Sequence, residues 1–234
     1  MRSGEFLKAL LGWLMVFPGV VRNSRSFGPV EIDFQACGPY LRLTIDDGPD
    51  PRQTPAILDL LKQRNVRAEF YVIGKKVASH PELCRRMRDE GHAVQNHTYS
   101  HPSATFWAAW PNQALSEIGR CSDEIRQATG LSPSRFRAPV GMANPFVHLI
   151  SRKLGLTLAG WTVSGDDGIR HQPRRVVEKI TAALRPGAII LTHDSHLPGM
   201  AEGQRACTLE ALLDSVEKHG FTFTLDESKP PFRT

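Results

Sequence analysis

From residue 39 onward the chain alternates short apolar runs with amphipathic stripes. Leu41, Leu43 and Ile45 recur at every second position, the period of a strand, and stop at Asp46 and Asp47. Ile57, Leu58, Leu60 and Leu61 then fall at helical spacing, and 68–73 reads as the next strand. A helix begins at Pro81, carries Leu83 and Met87, and stops at Gly91. Ala93 and Val94 lead into a histidine pair, after which Ala114, Ile118, Cys121, Ile125 and Ala128 form a helical stripe closed by Gly130. A strand end at 135–137 precedes a helix over 145–154 capped by Gly155, and a further strand reaches Trp161. Val176, Val177, Ile180 and Leu184 mark another helix, 188–191 a strand, Leu209, Leu212, Leu213 and Val216 a helix stopped by Gly220, and Phe221 and Phe223 a last strand.

This succession amounts to about seven β–α units, an α/β fold with a parallel sheet and helical crossovers. The chemically interesting residues fall at strand C-termini, where barrels and open α/β sheets alike build their sites. Periodicity alone fits either form. Residues 39–226 form one domain, and 227–234, with Pro230 and Pro231, read as a loose tail. Residues 1–38 differ in character. The run 6–21, FLKALLGWLMVFPGVV, is flanked by Arg2, Arg22 and Arg25. It is shorter than the roughly 20 residues of a membrane span and lacks a clean small-x-small cleavage site. Phe6, Leu7, Leu10, Leu11 and Leu14 share a helical face, which suits a membrane interface, a terminal helix packed on protein, or a short uncleaved anchor.

Composition narrows the partners. With 234 residues, 41% hydrophobic and 23% charged, the chain holds enough for one sizeable core. A net charge of +5 favours anionic surroundings such as phospholipid or cell-wall polymer. The basic residues are scattered without a nucleic-acid motif, so no nucleic-acid partner is expected. The expected location is a membrane or the cell envelope, with the cytoplasm left open. Nothing in the pattern fixes an oligomeric state. Cys37, Cys84, Cys121 and Cys207 lack C-x-x-C spacing; Cys84 and Cys121 lie on apolar stripes and read as buried thiols.

The candidate chemistry lies in five segments. Asp46 and Asp47 are adjacent at a strand end and so face different directions, one able to ligate a cation while the other addresses water or substrate. By itself Asp46-Asp47-Gly48-Pro49 is also ordinary acidic turn chemistry. His97 and His101 have the i, i+4 spacing of one face of a helical turn, and imidazoles suit zinc and its divalent neighbours. Such a pair is often incidental; beside two aspartates it gains meaning. Arg137, before Pro139, can hold a carboxylate through paired hydrogen bonds. Asp167 can orient His193 and keep it protonated. In isolation Arg137 and Asp167 read as surface or structural residues. His80, His92, His148, His171 and His219 have no partner pattern, whereas His196 closely follows the fifth segment.

Together these segments resemble the polysaccharide deacetylases of the NodB-homology type, carbohydrate esterase family 4, over about 41–225. Thr44-Ile45-Asp46-Asp47-Gly48 matches the first motif, with isoleucine in place of the usual phenylalanine. His97-Thr98-Tyr99-Ser100-His101 matches the second without change, and Arg137-Ala138-Pro139-Val140-Gly141 matches the third with valine for an aromatic. The fourth, Trp161 through Gly168, keeps the tryptophan and Asp167 but has Gly168 where many members carry a second tryptophan. Leu191-Thr192-His193-Asp194 matches the fifth.

The resemblance implies a distorted (β/α) barrel that removes acetyl groups from N-acetylated sugars, either a polymer or a lipid-linked glycan. It implies Asp47, His97 and His101 as ligands of a divalent metal, Zn2+ first, with Co2+, Ni2+, Mn2+ or Fe2+ as alternatives. Asp46 would be the general base held by Arg137, and His193, oriented by Asp167, the general acid. Tyr99 would lend a backbone N–H to the oxyanion, while Pro139, Trp161 and Leu191 would help bind substrate. Two other readings use the same scaffold: hydrolysis of a formamide or small cyclic amide, and a carbohydrate-binding relic without turnover.

Overall fold

The computed structural model describes residues 21–169 and 172–225. Most of the apolar run 6–21, together with His171 and the tail 227–234, lies outside the described residues. Among those described, no helix is long and apolar enough to cross a membrane.

Strand β1 (Tyr40–Asp46) is central and leads through a loop to α1 (Thr54–Gln63). Next come β2 (Glu69–Val72), two short helices, α2 (Gly74–Ser79) and α3 (Pro81–Asp89), and β3 (Ala93–Asn96). The long helix α4 (Pro111–Thr129) ends on Gly130 in the left-handed conformation, φ 73°. Then follow β4 (Arg135–Phe136), α5 (Pro145–Lys153), β5 (Thr157–Leu158), β6 (Val163–Ser164), α6 (Pro173–Thr181), β7 (Ile189–His193), α7 (Gln204–Lys218) and β8 (Thr222–Phe223). Helix α5 starts where Asn144 accepts the Val147 N–H at 3.0 Å and Pro145 presets the first turn. Periodicity missed α2 and did not separate β5 from β6. A six-residue helix and two two-residue strands are too short to carry a hydrophobic period of their own.

The strands line up as β5-β4-β3-β2-β1-β7-β6, with β8 joining the start of β1, and all their pairings are parallel. This is the distorted barrel that the motif order implied. Residues 30–34, grouped with the N-terminal segment on composition, are built into it. Glu31 bridges Ala159 and Asp33 bridges Ala188, so this stretch spans from the β5 edge to β7.

Alternation along β1 sets the inside and the outside of the barrel. Leu41, Leu43 and Ile45 face outward into a core with Ile57, Leu61, Leu209, Leu212 and Leu213 from α1 and α7. Arg42, Thr44 and Asp46 take the opposite face, and each is buried. The interior they line is polar and charge-compensated. Arg42 meets Glu31 at 2.8 Å and Glu69 at 3.7 Å, while Arg135 meets Glu31 at 2.7 Å and Glu69 at 3.5 Å. Tyr71 donates to the second Glu69 oxygen at 2.9 Å. The thiols of Cys84 and Cys121 are buried as expected, while Cys37 and Cys207 are exposed.

Breaking a buried ion network by removing one partner strands the others without compensation. Glu69→Ala should therefore lower the unfolding free energy by about 3–5 kcal/mol, read as the shift in the urea midpoint. Loss below about 1 kcal/mol would mean that Arg42 and Arg135 find other partners.

Candidate active site

The predicted residues gather at or just beyond the C-terminal ends of β1, β3, β4, β5, β6 and β7. Asp46 and His193 are direct register partners on adjacent parallel strands. The backbone around them is unusual for non-glycine residues: Asp47 (φ 76°), Thr98 (φ 67°), His101 (φ 54°) and Val140 (φ 51°) are all left-handed. Such conformations persist only where surroundings over-determine them. Here the determinants are visible. Lys76 donates to the Asp47 carbonyl at 2.7 Å, and the Asp47 N–H donates to Tyr71. Asn96 accepts the Thr98 N–H and anchors itself to Ile118 and Ser122 of α4. Glu117 takes both the N–H and the hydroxyl of Ser100. His97 and His101 are thus brought together by a tight non-helical turn stapled to α4, and not by a helical turn as their spacing suggested.

Asp47, His97 and His101 present donor atoms that all lie within 4.8 Å of one another. The Asp47 carboxylate oxygen is 3.5 Å from His97 Nε2 and 3.3 Å from His101 Nε2. Donors held tetrahedrally at about 2.0–2.2 Å from one zinc ion sit about 3.4 Å apart, so the set fits such an ion. Protonation states agree. His97 Nδ1 contacts the Arg137 carbonyl at 2.8 Å; a carbonyl only accepts, so the proton sits there and Nε2 offers its lone pair. Burial, aided by His97, lowers the His101 pKa to about 4 against the pull of Asp47 and Asp46. Burial opposes ionisation of Asp47, but the imidazoles beside it and the His193 cation hold its carboxyl well below the usual carboxylate range.

Asp46 belongs to a different environment. Arg137, fully buried, donates to its Oδ1 at 2.5 Å and from the same nitrogen to Thr44 Oγ1 at 2.8 Å. The other guanidinium nitrogen is fixed to the Gly160 carbonyl at 2.6 Å. The Tyr71 ring lies 4.0 Å and the Trp161 ring 5.7 Å from the guanidinium carbon. Asp46 Oδ2 remains 3.7 Å from His97 Nε2, beside the ligand set and outside it.

His193 is held from two sides by Asp167, through its backbone N–H at 2.9 Å and its Nδ1 at 2.9 Å. Burial works against the imidazolium, yet the charge and hydrogen bond of Asp167, with Asp47 and Asp46 behind them, raise its pKa to about 9. A Cβ at Gly168 would come within 2.7 Å of His193 Nε2, so a residue without a side chain lies against the proton-bearing edge of the ring.

Asp46, Asp47, His97, His101, Trp161, Leu191 and His193 share one cavity of 240 Å³. Two predicted substrate contacts lie off its wall. Tyr99 places its ring beneath Arg120 of α4, 3.6 Å from the guanidinium carbon. Its backbone N–H has no acceptor among the described residues. Pro139 is buried and starts the short turn that shows Ala138 and Val140 to the cavity. His196 is not among the cavity's residues; its Nδ1 meets the Gln53 amide at 3.1 Å and its N–H meets Asp50.

Several supporting residues gave no sequence signal. Asp194 is completely buried beneath the Asp46-Asp47-Gly48 turn, accepting from Thr54 at 2.6 Å and sitting where a Gly48 side chain would be. Arg205 of α7 contacts Asp167, and Asn23 joins the Gly141 and Trp161 carbonyls. Asp194 stands in the fifth motif, but its burial under the turn, like the contacts of Arg205 and Asn23, shows only in the packing.

Comparison with known proteins places this arrangement. The family model described as polysaccharide deacetylase matches residues 35–159. A chitooligosaccharide deacetylase of Bradyrhizobium sp. is 40% identical over 191 residues, covering 76% of this chain and 85% of the relative. The peptidoglycan-N-acetylglucosamine deacetylase PgdA of Listeria monocytogenes is 33% identical over 80% of this chain, which spans 38% of that longer protein. Among solved structures, a family 4 carbohydrate esterase from Streptomyces lividans in complex with acetate superimposes with a TM-score of 0.72 at 29% identity, covering 83% of this chain and 96% of the other. With its barrel, its five motifs in order and a matching model over more than half its length, the chain belongs to the polysaccharide deacetylase family, carbohydrate esterase family 4.

Proposed function

We propose that this protein is a metal-dependent hydrolase that removes N-acetyl groups from an N-acetylhexosamine-containing glycan. The observation that supports it most is the sharing of one cavity by three kinds of group: the ligand set of Asp47, His97 and His101, the Arg137-held Asp46, and the Asp167-held His193. The relatives named for chitooligosaccharide and peptidoglycan deacetylation support the substrate class. A glycan of the cell envelope, polymeric or lipid-linked, and a location at that envelope go with this reading.

A divalent cation, Zn2+ by ligand preference, held by Asp47, His97 and His101 would supply Lewis acidity to polarise a carbonyl and acidify water. Asp46 accepts the proton of the water that attacks the acetamide carbonyl. Arg137 keeps that carboxylate aimed and buried, and its links to Thr44 and Gly160 leave it little freedom to follow the proton. Collapse of the tetrahedral adduct breaks the C–N bond, and His193 donates the proton that the departing amine needs. Water and amide become acetate and a free amino sugar. Because Asp46 and His193 sit on neighbouring strands in register, base and acid are fixed relative to each other by the sheet itself.

Three measurements test this reading. Purified protein incubated with N-acetylglucosamine oligomers should release acetate, and a chelator should abolish the release until Zn2+ is restored. Formate from formamides, with no acetate, would move the assignment to another amide. Asp46→Asn should retain the metal and lose at least about 100-fold in kcat, whereas His97→Ala should lose metal content and turnover together; full metal occupancy in His97→Ala would overturn the ligand assignment. The pH profile carries the third. His193 must be protonated to act, so activity should fall as pH rises through its pKa near 9. Asp167→Asn removes the anion that raises that value, and the alkaline limb of kcat/KM should move to lower pH by about 1–3 units.

A further inference from the structure

Arg205 sits in the first turn of α7, far in sequence from every motif, and is 3% exposed. Its Nη1 donates to the Asp167 carbonyl at 2.8 Å and lies 3.4 Å from Asp167 Oδ2. Its Nε donates to the carbonyl of Ser195, two residues beyond the acid, at 3.0 Å. The Arg205 N–H is itself held by Gln53 Oε1 at 3.0 Å, which ties this turn of α7 to the start of α1. The guanidinium therefore grips the chain on both sides of His193.

The Asp167 carboxylate is divided between two cationic partners. Oδ1 receives the imidazole Nδ1, while Oδ2 receives the His193 N–H and faces Arg205. We propose that Arg205 is a positioning residue for the general acid: it shares the Asp167 carboxylate with His193, fixing that carboxylate and taking up part of its charge. This rests on the deacetylase reading of His193.

The charges around the imidazole show why such a residue matters. From the β6–α6 loop Asp167 faces it, and from the end of β1 and the turn after it Asp47 and Asp46 do; against burial, all three favour the imidazolium. A general acid that holds its proton too firmly transfers it poorly near neutral pH. Arg205 is the cation from α7 that acts the other way, and it lowers the Asp167 pKa together with His193 against the effect of burial. Bulk water screens this coupling little, because the Asp167 and Arg205 side chains are buried. Asp167, His193 and Arg205 enclose a cavity of only 20 Å³ with Thr192 and Thr208, about the space of a single water.

The test uses the zinc-loaded full chain and two readouts: the NMR titration of the His193 ring, and the pH profile of kcat/KM on N-acetylglucosamine oligomers. In Arg205→Met the His193 midpoint and the alkaline limb should both move up by about 0.5–1 pH unit. At neutral pH kcat should fall several-fold with KM unchanged. Arg205→Lys, which keeps the charge, should restore the midpoint to near its original value. A midpoint in Arg205→Met that stays put or moves down would overturn the proposal, since a tether without an electrostatic role predicts no rise. If Arg205→Met does not fold, Arg205→Gln takes its place; if no neutral variant folds, Arg205 is a fold residue and the proposal fails. A wild-type chain that hydrolyses no acetamide would count against the deacetylase reading alone, because the NMR titration still decides the role of Arg205.

Discussion

One buried guanidinium ties this site together. Arg137 has no exposed surface, yet it touches nearly every part of the site's construction. Its side chain aims Asp46, fixes Thr44 and Gly160, and lies between the Tyr71 and Trp161 rings. Its backbone carbonyl receives His97 Nδ1 and so chooses the tautomer that faces Asp47. Its N–H binds the carbonyl of Asn96, the residue just before that histidine. A charge so far from solvent is tolerable only where partners surround it. The barrel supplies them through its polar interior, where Arg42, Arg135 and Arg137 are matched by Glu31, Glu69 and Asp46. The charged filling of the barrel and the aim of Asp46 are one network.

Two neighbouring aspartates acquire different tasks from that network. Asp46 continues the inward row of Arg42 and Thr44, so strand geometry delivers it to Arg137. Asp47 is turned out of the row by a left-handed backbone that Lys76 and Tyr71 hold in place. Alternation on an extended chain explains why the side chains diverge; the backbone turn at Asp47 explains how far. The same holds for the histidines, whose convergence depends on the left-handed Thr98 and His101 and on the staples from α4.

The sequence made some of this plain and hid the rest for physical reasons. The outward row of Leu41, Leu43 and Ile45 and the stripe of α4 were readable because burial on one face leaves a period. The inward row was readable only at its end, as two aspartates; nothing in Arg42 itself says that Glu31 and Glu69 will meet it. Such pairings depend on strand order, which brings together residues dozens of positions apart. The place of residues 30–34 between β5 and β7 was hidden likewise, because a few hydrogen bonds without a stripe leave no mark in composition. Asp47, His97 and His101, and the pair Asp46 and His193, were singled out through motif order, and the structure brings all five to one cavity. Their supports Asn96, Glu117 and Arg205 are polar residues indistinguishable in sequence from surface ones, and Asp194, though it stood in the fifth motif, carried no sign that it would be buried under the Gly48 turn.

Gly168 shows how tightly the surroundings of His193 are built. The motif resemblance would place a second tryptophan at this position, and its absence here could be read as a missing wall. The geometry gives a more local reason. His193 is pinned by two bonds from Asp167, one of them to its backbone, so the ring cannot swing aside without leaving its aspartate. A Cβ on residue 168 would overlap three atoms of that ring, at 2.7, 2.8 and 3.0 Å. In this backbone, therefore, a side chain at 168 and an Asp167-bound His193 exclude each other. The glycine belongs to the geometry of His193, and it lines the cavity beside Ile169 and Asp166.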